Sequence, residues 1–444
     1  MDALELRPAQ RPDGVNPDSP GHAQRPWRGG WRDGLSYGAL GLPLAFVALP
    51  LYVQLPNHYA TAFGIPLATL GALLLGARLL DAFADPFIGQ ASDRWLSASA
   101  RAALGRGALA ALVLAAGFYA LFFPAVEGRT ALLVWCAAML AVTYLSFSVL
   151  TVLHQAWGAR LGGDEGQRAR IVAWREGLAL AGVLVASVLP ALAGFGVASA
   201  VFAATLVVGW LAWTHAPRPQ ATAQPPAGLR VLLQPLRTPA FRRLLAVYLV
   251  NGIASAVPAT LVLFFIRDRL QAAAYEPLFL ASYFAAGALA MPLWVRLVAR
   301  IGLVRTWLAG MGLAIVSFVW AATLGAGDVL GFTLVCLASG VALGADLALP
   351  GALLAGVVQR AGHGGQLEGG YFGWWNFATK LNLALAAGVA LPLLGLLGYA
   401  PGRQDPQALQ ALTVTYCLLP CVLKLLAAAL LWRSGIHSTD RDPS

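Results

Sequence analysis

Long apolar segments recur along almost the whole chain and limit its possible folds more than any other feature. Each has about 20 residues or more, the length at which a helix rising about 1.5 Å per residue crosses a hydrocarbon layer of about 30 Å. Hydrocarbon leaves no partner for exposed backbone groups, so each segment is expected to be helical. We predict an all-α polytopic membrane protein with twelve transmembrane helices, at 35–60, 66–92, 104–124, 130–160, 171–195, 197–215, 241–266, 276–300, 303–325, 328–359, 369–398 and 408–432.

The composition favours a membrane protein over other classes. Of the 444 residues, 59% are hydrophobic and 11% are charged, whereas soluble domains carry about 25% charged residues. The net charge of +10 could suggest a nucleic-acid-binding protein, but the arginines lie between the apolar segments, where they determine topology. We therefore expect a lipid bilayer and a small-molecule substrate as partners, no nucleic acid, and a monomer.

The arginines also predict the orientation of the chain. They are frequent before the first segment and in every second loop, while the alternate loops are short and poor in charge, and 61–65 has none. The positive-inside rule then places both termini in the cytoplasm. Residues 1–34 have no apolar core of a signal peptide. We expect a multi-pass protein of the bacterial inner membrane.

The segments fall into two groups of six. Asp85-Pro86 and Arg94 at the end of the second segment can be laid over Met291-Pro292 and Arg300 at the end of the eighth. Paired six-helix halves are typical of the major facilitator fold, which works by alternating access. The predicted organisation is a disordered cytoplasmic tail, an amino-terminal bundle, a cytoplasmic linker, a carboxy-terminal bundle and a second tail, at 1–34, 35–215, 216–240, 241–433 and 434–444.

Three charged residues lie within the second apolar segment. Arg78, Asp81 and Asp85 are spaced at i, i+3 and i+7, which places them within roughly 60° of one another on a helix. Two close carboxylates do not both stay ionised without a cation or proton between them, so the pair is a candidate cation site. The alternative is a structural salt bridge to Arg78, although one arginine leaves one acid over.

Lys380 is the expected counterpart of the two acids. Asp81 precedes Asp93 by 12 residues and Lys380 follows Glu368 by 12 residues. With Asp93 and Glu368 at the cytoplasmic edge, both groups lie about 18 Å deep, near the middle of the membrane. A buried ammonium there requires an acid, so Na⁺ or H⁺ would compete with Lys380 for the carboxylates.

The second segment carries the motif Arg78-x-x-Asp81-Ala-x-x-Asp85-Pro86-x-x-Gly89-x-x-x-Asp93-Arg94. It resembles the second-helix signature of the glycoside–pentoside–hexuronide:cation symporters, the melibiose-permease group of the major facilitator superfamily. Supporting matches cover about 36–432, at Trp157–Leu161, Arg168–Ile171, Arg175-Glu176, Glu368-Gly369, Tyr371-Phe372 and Lys380.

The resemblance implies a secondary active transporter that couples Na⁺ or H⁺ to the symport of a sugar, glycoside or other small organic solute. It assigns the coupling cation to Asp81 and Asp85, with no other cofactor. The family's sugar-contacting acids fall near Ala45 and Thr151 instead, and a family tryptophan is replaced by Gln155. The alternative is therefore a non-sugar amphipathic solute, lysolipid-like or a drug, with export as the other direction of transport.

Several other polar residues lie within apolar segments, and each has two interpretations. The candidate substrate-binding residues are Lys380, Asn376, Arg175, Thr151, His154, Gln155 and Trp375. His154 could instead bond between helices, Arg175 could extend to the interface or pair with Glu176, and the aromatic residues could serve helix packing. Asp346 is assigned to a charge network with Arg78 and Lys380, whereas Lys424 is expected to extend to the interface.

Gly89, Asp93 and Arg94 are candidate gating residues, because an acid at the amino end of a neighbouring helix would stabilise one closed state. An enzyme would need a nucleophile–base pair, a metal cluster or a phosphate loop, and none is present in the sequence. The four cysteines lack metal-ligand spacing, so we expect neither a catalytic nor a metal site.

Overall fold

The structure, a computed structural model, describes residues 27–219, 222, 225, 228–399, 402 and 405–436. These residues are helical, with turns and short loops and without a strand, so the all-α prediction is confirmed. Most of the predicted tails, 1–26 and 437–444, lies outside the described residues. The first helix begins at Trp31, inside the predicted tail. Asp33 in its first turn is buried and accepts a hydrogen bond from the Arg28 backbone at 2.8 Å.

The helices follow one another with few residues between them. The amino-terminal half contains α1 (Trp31–Gly38), α2 (Gly41–Phe46), a π-helical turn (Pro50–Gln54), α3 (Leu55–Phe63), α4 (Leu67–Ala98), α5 (Ala100–Phe122), α6 (Arg129–Arg160) and α7 (Glu165–Thr214). Two short helices, α8 (Leu229–Leu232) and α9 (Gln234–Arg237), occupy the linker.

The carboxy-terminal half follows directly. It contains α10 (Pro239–Phe264) with a π-helical turn (Phe265–Arg269), a 3₁₀ turn (Ala273–Tyr275), α11 (Glu276–Ile301), α12 (Leu303–Ala321), α13 (Val329–Arg360), α14 (Glu368–Leu396), α15 (Pro406–Thr413), a second such π-helical turn (Val414–Leu418) and α16 (Leu419–Arg433).

Nine segments of the described chain are long and apolar enough to cross a membrane. Two of them are parts of α7, which bends at Gly194, where φ is 79°. The other three predicted segments are α4, α14 and the run α1–α3. That run is divided because prolines, among them Pro43 and Pro50, remove backbone donors within it. The helices α4 and α14 carry the charged residues of the site described below.

Glycines let the two halves approach closely along α4 and α14. A Cβ at Gly89 would overlap the carbonyl oxygen of Gly369, and a Cβ at Gly373 would lie 2.5 Å from the carbonyl oxygen of Asp85. Small residues permit such backbone contact between membrane helices, where dispersion forces replace the hydrophobic effect.

Side-chain contacts join the two halves at one end of the helices. At the end predicted to be cytoplasmic, Arg168 donates to the Gln359 side chain at 2.8 Å, and Glu165 accepts from the Leu303 backbone at 2.7 Å. Towards the opposite end, Gly71 on α4 and Gly388 on α14 have open space around them. The structure is therefore closed at the predicted cytoplasmic end.

Gly89→Val should lower the thermal unfolding midpoint of the purified protein, because overpacking a close helix contact costs about 1–3 kcal/mol. Gly105→Val is the matched control, since Gly105 lies in a helix with open space around it. Equal midpoints for the two variants would contradict the role of Gly89 in this contact.

Candidate functional site

A cavity of about 690 Å³ lies between the two halves. Helices α2, α4, α6 and α7 of one half and α10, α13 and α14 of the other contribute its walls. The structure brings nearly all the predicted binding and network residues to this one cavity. Its lining includes Arg78, Asp81, Thr151, His154, Gln155, Arg175, Asp346, Trp375, Asn376 and Lys380.

Lys380 connects the two halves through the acids of α4. Its ammonium lies 2.7 Å from Asp81 Oδ2 and 2.7 Å from Asp85 Oδ2. Both carboxylates are buried, at 2% and 0% exposure, while the lysine side chain is 19% exposed. Lys380 thus shares its charge between two anions, at the place where the sequence predicts a coupling cation.

Ser148 on α6 completes this cluster, and sequence reasoning did not find it. Its hydroxyl donates to Asp81 Oδ1 at 2.6 Å and accepts from Lys380 Nζ at 2.8 Å. A hydroxyl and two carboxylates provide oxygen ligands of the kind that bind hard cations, and a carboxylate can also take up a proton. No spacing rule links a serine on the fourth segment to α4, so only the packing of α6 on α4 reveals it.

Asp346 belongs to a second, separate ion pair. Its Oδ2 accepts from Lys424 at 2.7 Å and from Ser255 at 3.2 Å, and its Oδ1 accepts from Asn251 at 3.1 Å and Trp307 at 2.9 Å. Its assignment to a network with Arg78 and Lys380 is thereby corrected, because four donors within the carboxy-terminal half surround the carboxylate.

The prediction that Lys424 extends to the interface is wrong. The residue is 2% exposed, and its ammonium also donates to Asn251 Oδ1 at 2.9 Å and Ser255 Oγ at 3.2 Å. An ammonium deep inside a half is tolerated when an anion and other acceptors replace its hydration.

Arg175 and Glu176 form a third charged pair at the cavity. Arg175 Nε donates to Glu176 Oε1 at 2.9 Å, so Arg175 pairs with its neighbour, as one of its two interpretations expected. His154 is fully buried, lies 2.8 Å from the Tyr37 carbonyl through Nε2 and stacks on the Tyr37 ring. Its geometry is that of a bond between helices.

Asn376 and Trp375 on α14 each contact a residue of another helix at the cavity. Asn376 donates to Gln155 Oε1 at 2.7 Å and thereby joins α14 to α6 across the cavity. Trp375 stacks on Tyr248 with ring centroids 3.7 Å apart, an aromatic surface of the kind that binds organic solutes. Thr151 lines the same space, and its buried hydroxyl lacks a hydrogen-bond partner among the described residues.

The candidate gate lies at the closed end of α4. Asp93 accepts hydrogen bonds from the backbone amides of Gly369 at 2.7 Å and Gly370 at 2.8 Å, in the first turn of α14. Arg160 lies 3.0 Å from Asp93 and 3.1 Å from Glu368. Asp93 therefore binds amides of the first helical turn, which have no partner within the helix, at the positive end of the helix dipole. This is the position expected from the sequence.

Of the other candidate gating residues, Gly89 lies in the contact with Gly369, whereas Arg94 is exposed. Arg160, which belongs to the family-matching stretch Trp157–Leu161 and was not predicted to act in gating, provides the arginine of this cluster instead. It does so because the end of α6 faces both α4 and α14.

Two helical halves around a charged central cavity, closed at one end by an acid on a helix terminus, define a transporter of the major facilitator type. The chain belongs to the family described as MFS/sugar transport protein, whose model matches residues 34–438. The predicted fold and family are confirmed, and the protein is a membrane transporter rather than an enzyme.

Relatives and solved structures agree with this assignment. The chain is 25% identical over 430 residues to the glucuronide carrier protein homolog of Escherichia coli K12, covering 90% of this chain and 92% of that protein. It is 22% identical over 423 residues to an uncharacterized symporter of Bacillus subtilis 168, covering 89% and 90%.

The fold is also that of solved transporters. A bacterial homologue of the iron transporter ferroportin, in an outward-facing state, superposes with a TM-score of 0.67 at 17% identity, over 91% of this chain and 99% of that chain. The Escherichia coli fucose:proton symporter has a TM-score of 0.63 at 12% identity, over 89% and 97%.

Asp346→Asn should destabilise the protein by about 3–5 kcal/mol, because it leaves the Lys424 ammonium buried without an anion. The thermal midpoint in detergent measures this loss. The double variant Asp346→Leu/Lys424→Met, which removes both charges, should recover much of it. A single variant as stable as the wild type would contradict the buried pair.

Proposed function

We propose that the protein is a symporter of the inner membrane that couples Na⁺ or H⁺ to the uptake of a polar, hydroxylated organic solute such as a glycoside. The observation that carries this proposal is the Lys380 ammonium, 2.7 Å from both Asp81 and Asp85. Relatives named as a glucuronide carrier homolog and as an inner membrane symporter of Escherichia coli support it.

The proposed coupling is a competition for two carboxylates. A cation or proton bound at Asp81 and Asp85 neutralises the negative charge that Lys380 otherwise balances. The ion pair between Lys380 on α14 and the two acids on α4 is then weakened. The gate at Asp93 joins the same two helices, 8 residues beyond Asp85. Cation binding therefore weakens one end of the contact that keeps the predicted cytoplasmic side closed.

The solute is proposed to bind between α6 and α14. Gln155 and Asn376 hydrogen-bond to each other across the cavity at 2.7 Å, and a solute with hydroxyl groups can replace that bond with one to each half. The stacked Trp375 and Tyr248 rings offer an apolar face beside these amides. Binding to both halves at once is what alternating access requires.

A second candidate is an amphipathic solute that enters from the bilayer. Phe83 lines the cavity, yet 63% of its surface is exposed on α4, and its ring lies 5.8 Å from that of Phe377 on α14. A panel in proteoliposomes separates the candidates: methyl glycosides and a glucuronide on one side, a lysolipid and a lipophilic cation on the other. Cation-driven uptake of the first group alone supports the proposal.

Asp81→Asn and Asp85→Asn should each reduce gradient-driven uptake by about 100-fold or more, because a buried cation that loses an anionic ligand loses several kcal/mol. Uptake under an imposed Na⁺ or H⁺ gradient measures the effect. Asp328→Asn, at an exposed loop carboxylate, is the control. Unchanged gradient dependence in both site variants would refute the cation site.

Arg160→Gln should slow transport more than it weakens solute binding, because it removes the cation between Asp93 and Glu368 in one closed state. Comparison of the uptake rate with equilibrium binding to the purified protein tests this. Arg300→Gln, at an exposed arginine in the last turn of α11, provides the control. A loss of binding as large as the loss of rate would contradict a gating role.

A further inference from the structure

Three carboxylates, Asp81, Glu176 and Asp346, line the cavity within the described part of the chain. Two of them already have a partner at each oxygen. Asp81 accepts from Ser148 through Oδ1 and pairs with Lys380 through Oδ2. Asp346 accepts two hydrogen bonds through each of its oxygens. Asp346 therefore has its four acceptor positions filled, and Asp81 is engaged in the proposed cation site with Lys380 and Ser148.

Glu176 differs from the other two. Its Oε1 receives Nε and Nη2 of Arg175, at 2.9 and 2.5 Å. Its Oε2 has no donor among the residues that the structure describes, and the side chain is 19% exposed while lining the cavity. An ionised carboxylate has about four acceptor positions, so Glu176 retains capacity on the side away from Arg175.

The surrounding helices fix this carboxylate in place. Gly41 on α2 packs directly against the backbone of Arg175, so the first part of α7 is held against α2. Helices α2 and α6 contribute Ala45 and Thr151 to the lining of the same cavity, and neither residue is an acid.

We propose that Glu176 is a specificity-determining residue whose Oε2 accepts a hydrogen bond from a hydroxyl group of the transported solute. The Arg175 guanidinium balances the charge of Glu176, so the free oxygen favours a neutral hydroxyl donor over a cationic amine. Because this inference names a solute contact, it rests on the proposed function.

The experiment uses four probes in proteoliposomes: methyl β-glucoside, methyl β-galactoside, methyl β-xyloside and methyl β-glucuronide. For the best-transported probe, each monodeoxy analogue is then compared in the wild type and in Glu176→Gln. Glu276→Gln is the matched control, because Glu276 also pairs with an arginine, Arg267, but outside the cavity.

Glu176→Gln should raise the KM of the parent probe about 10- to 100-fold, the loss expected for a hydrogen bond to a charged group. Loss of one particular hydroxyl should raise the wild-type KM by a similar factor and cost nothing further in Glu176→Gln. If Glu176 had a purely structural role, Glu176→Gln would not abolish the dependence of KM on that one hydroxyl group. The cation concentration at half-maximal uptake should stay the same.

Two results would overturn the inference: equal deoxy dependence in wild type and Glu176→Gln, or the same KM change in Glu276→Gln. If Glu176→Gln does not reach the membrane, Glu176→Asp must show the same hydroxyl-specific loss. Gradient-independent uptake by the wild type would defeat the proposed coupling alone, while failure of every glycoside would defeat both proposals.

Discussion

The contact between one ammonium and two carboxylates is the interaction on which the proposed mechanism depends. Removing any of these charges from water costs several kcal/mol, which only a well-placed counter-charge and hydrogen bonds restore. Lys380 forms an ion pair with both Asp81 and Asp85, and Ser148 bonds to both the lysine and Asp81. Since the lysine belongs to α14 and the acids to α4, satisfying the charges also holds the halves together.

The same two helices carry this electrostatic contact to the closed end. Glycines at 89, 369 and 373 bring their backbones together between the charge cluster and the Asp93 amide contacts. One interface between α4 and α14 thus contains both the proposed cation site and the proposed gate. A change in charge at Asp81 and Asp85 needs no long pathway to reach the proposed gate, because both sites act on the relative position of α4 and α14.

Sequence reasoning succeeded where a local spacing fixes the geometry. The apolar segments identified the helices, and the i, i+3, i+7 spacing identified one charged stripe. Lys380 was predicted to lie beside that stripe because its depth in the membrane equals that of Asp81. Reasoning from spacing could not supply Ser148 or correctly place Lys424, because their partners lie on helices far away in the chain. The division of the first segment into α1–α3 was also missed, since hydropathy does not register the prolines that interrupt its hydrogen bonds.

The central claim is that a cation displaces Lys380 from Asp81 and Asp85. The chain contains only two lysines, and the other, Lys424, is buried in its own ion pair, so it serves as an internal reference. The direct measurement is mass-spectrometric quantification of acetylation at each lysine by acetic anhydride. Na⁺ is titrated at constant pH and ionic strength, and pH is titrated separately. The account predicts that the Lys380 to Lys424 ratio rises several-fold over the range that supports uptake, and an unchanged ratio would contradict it.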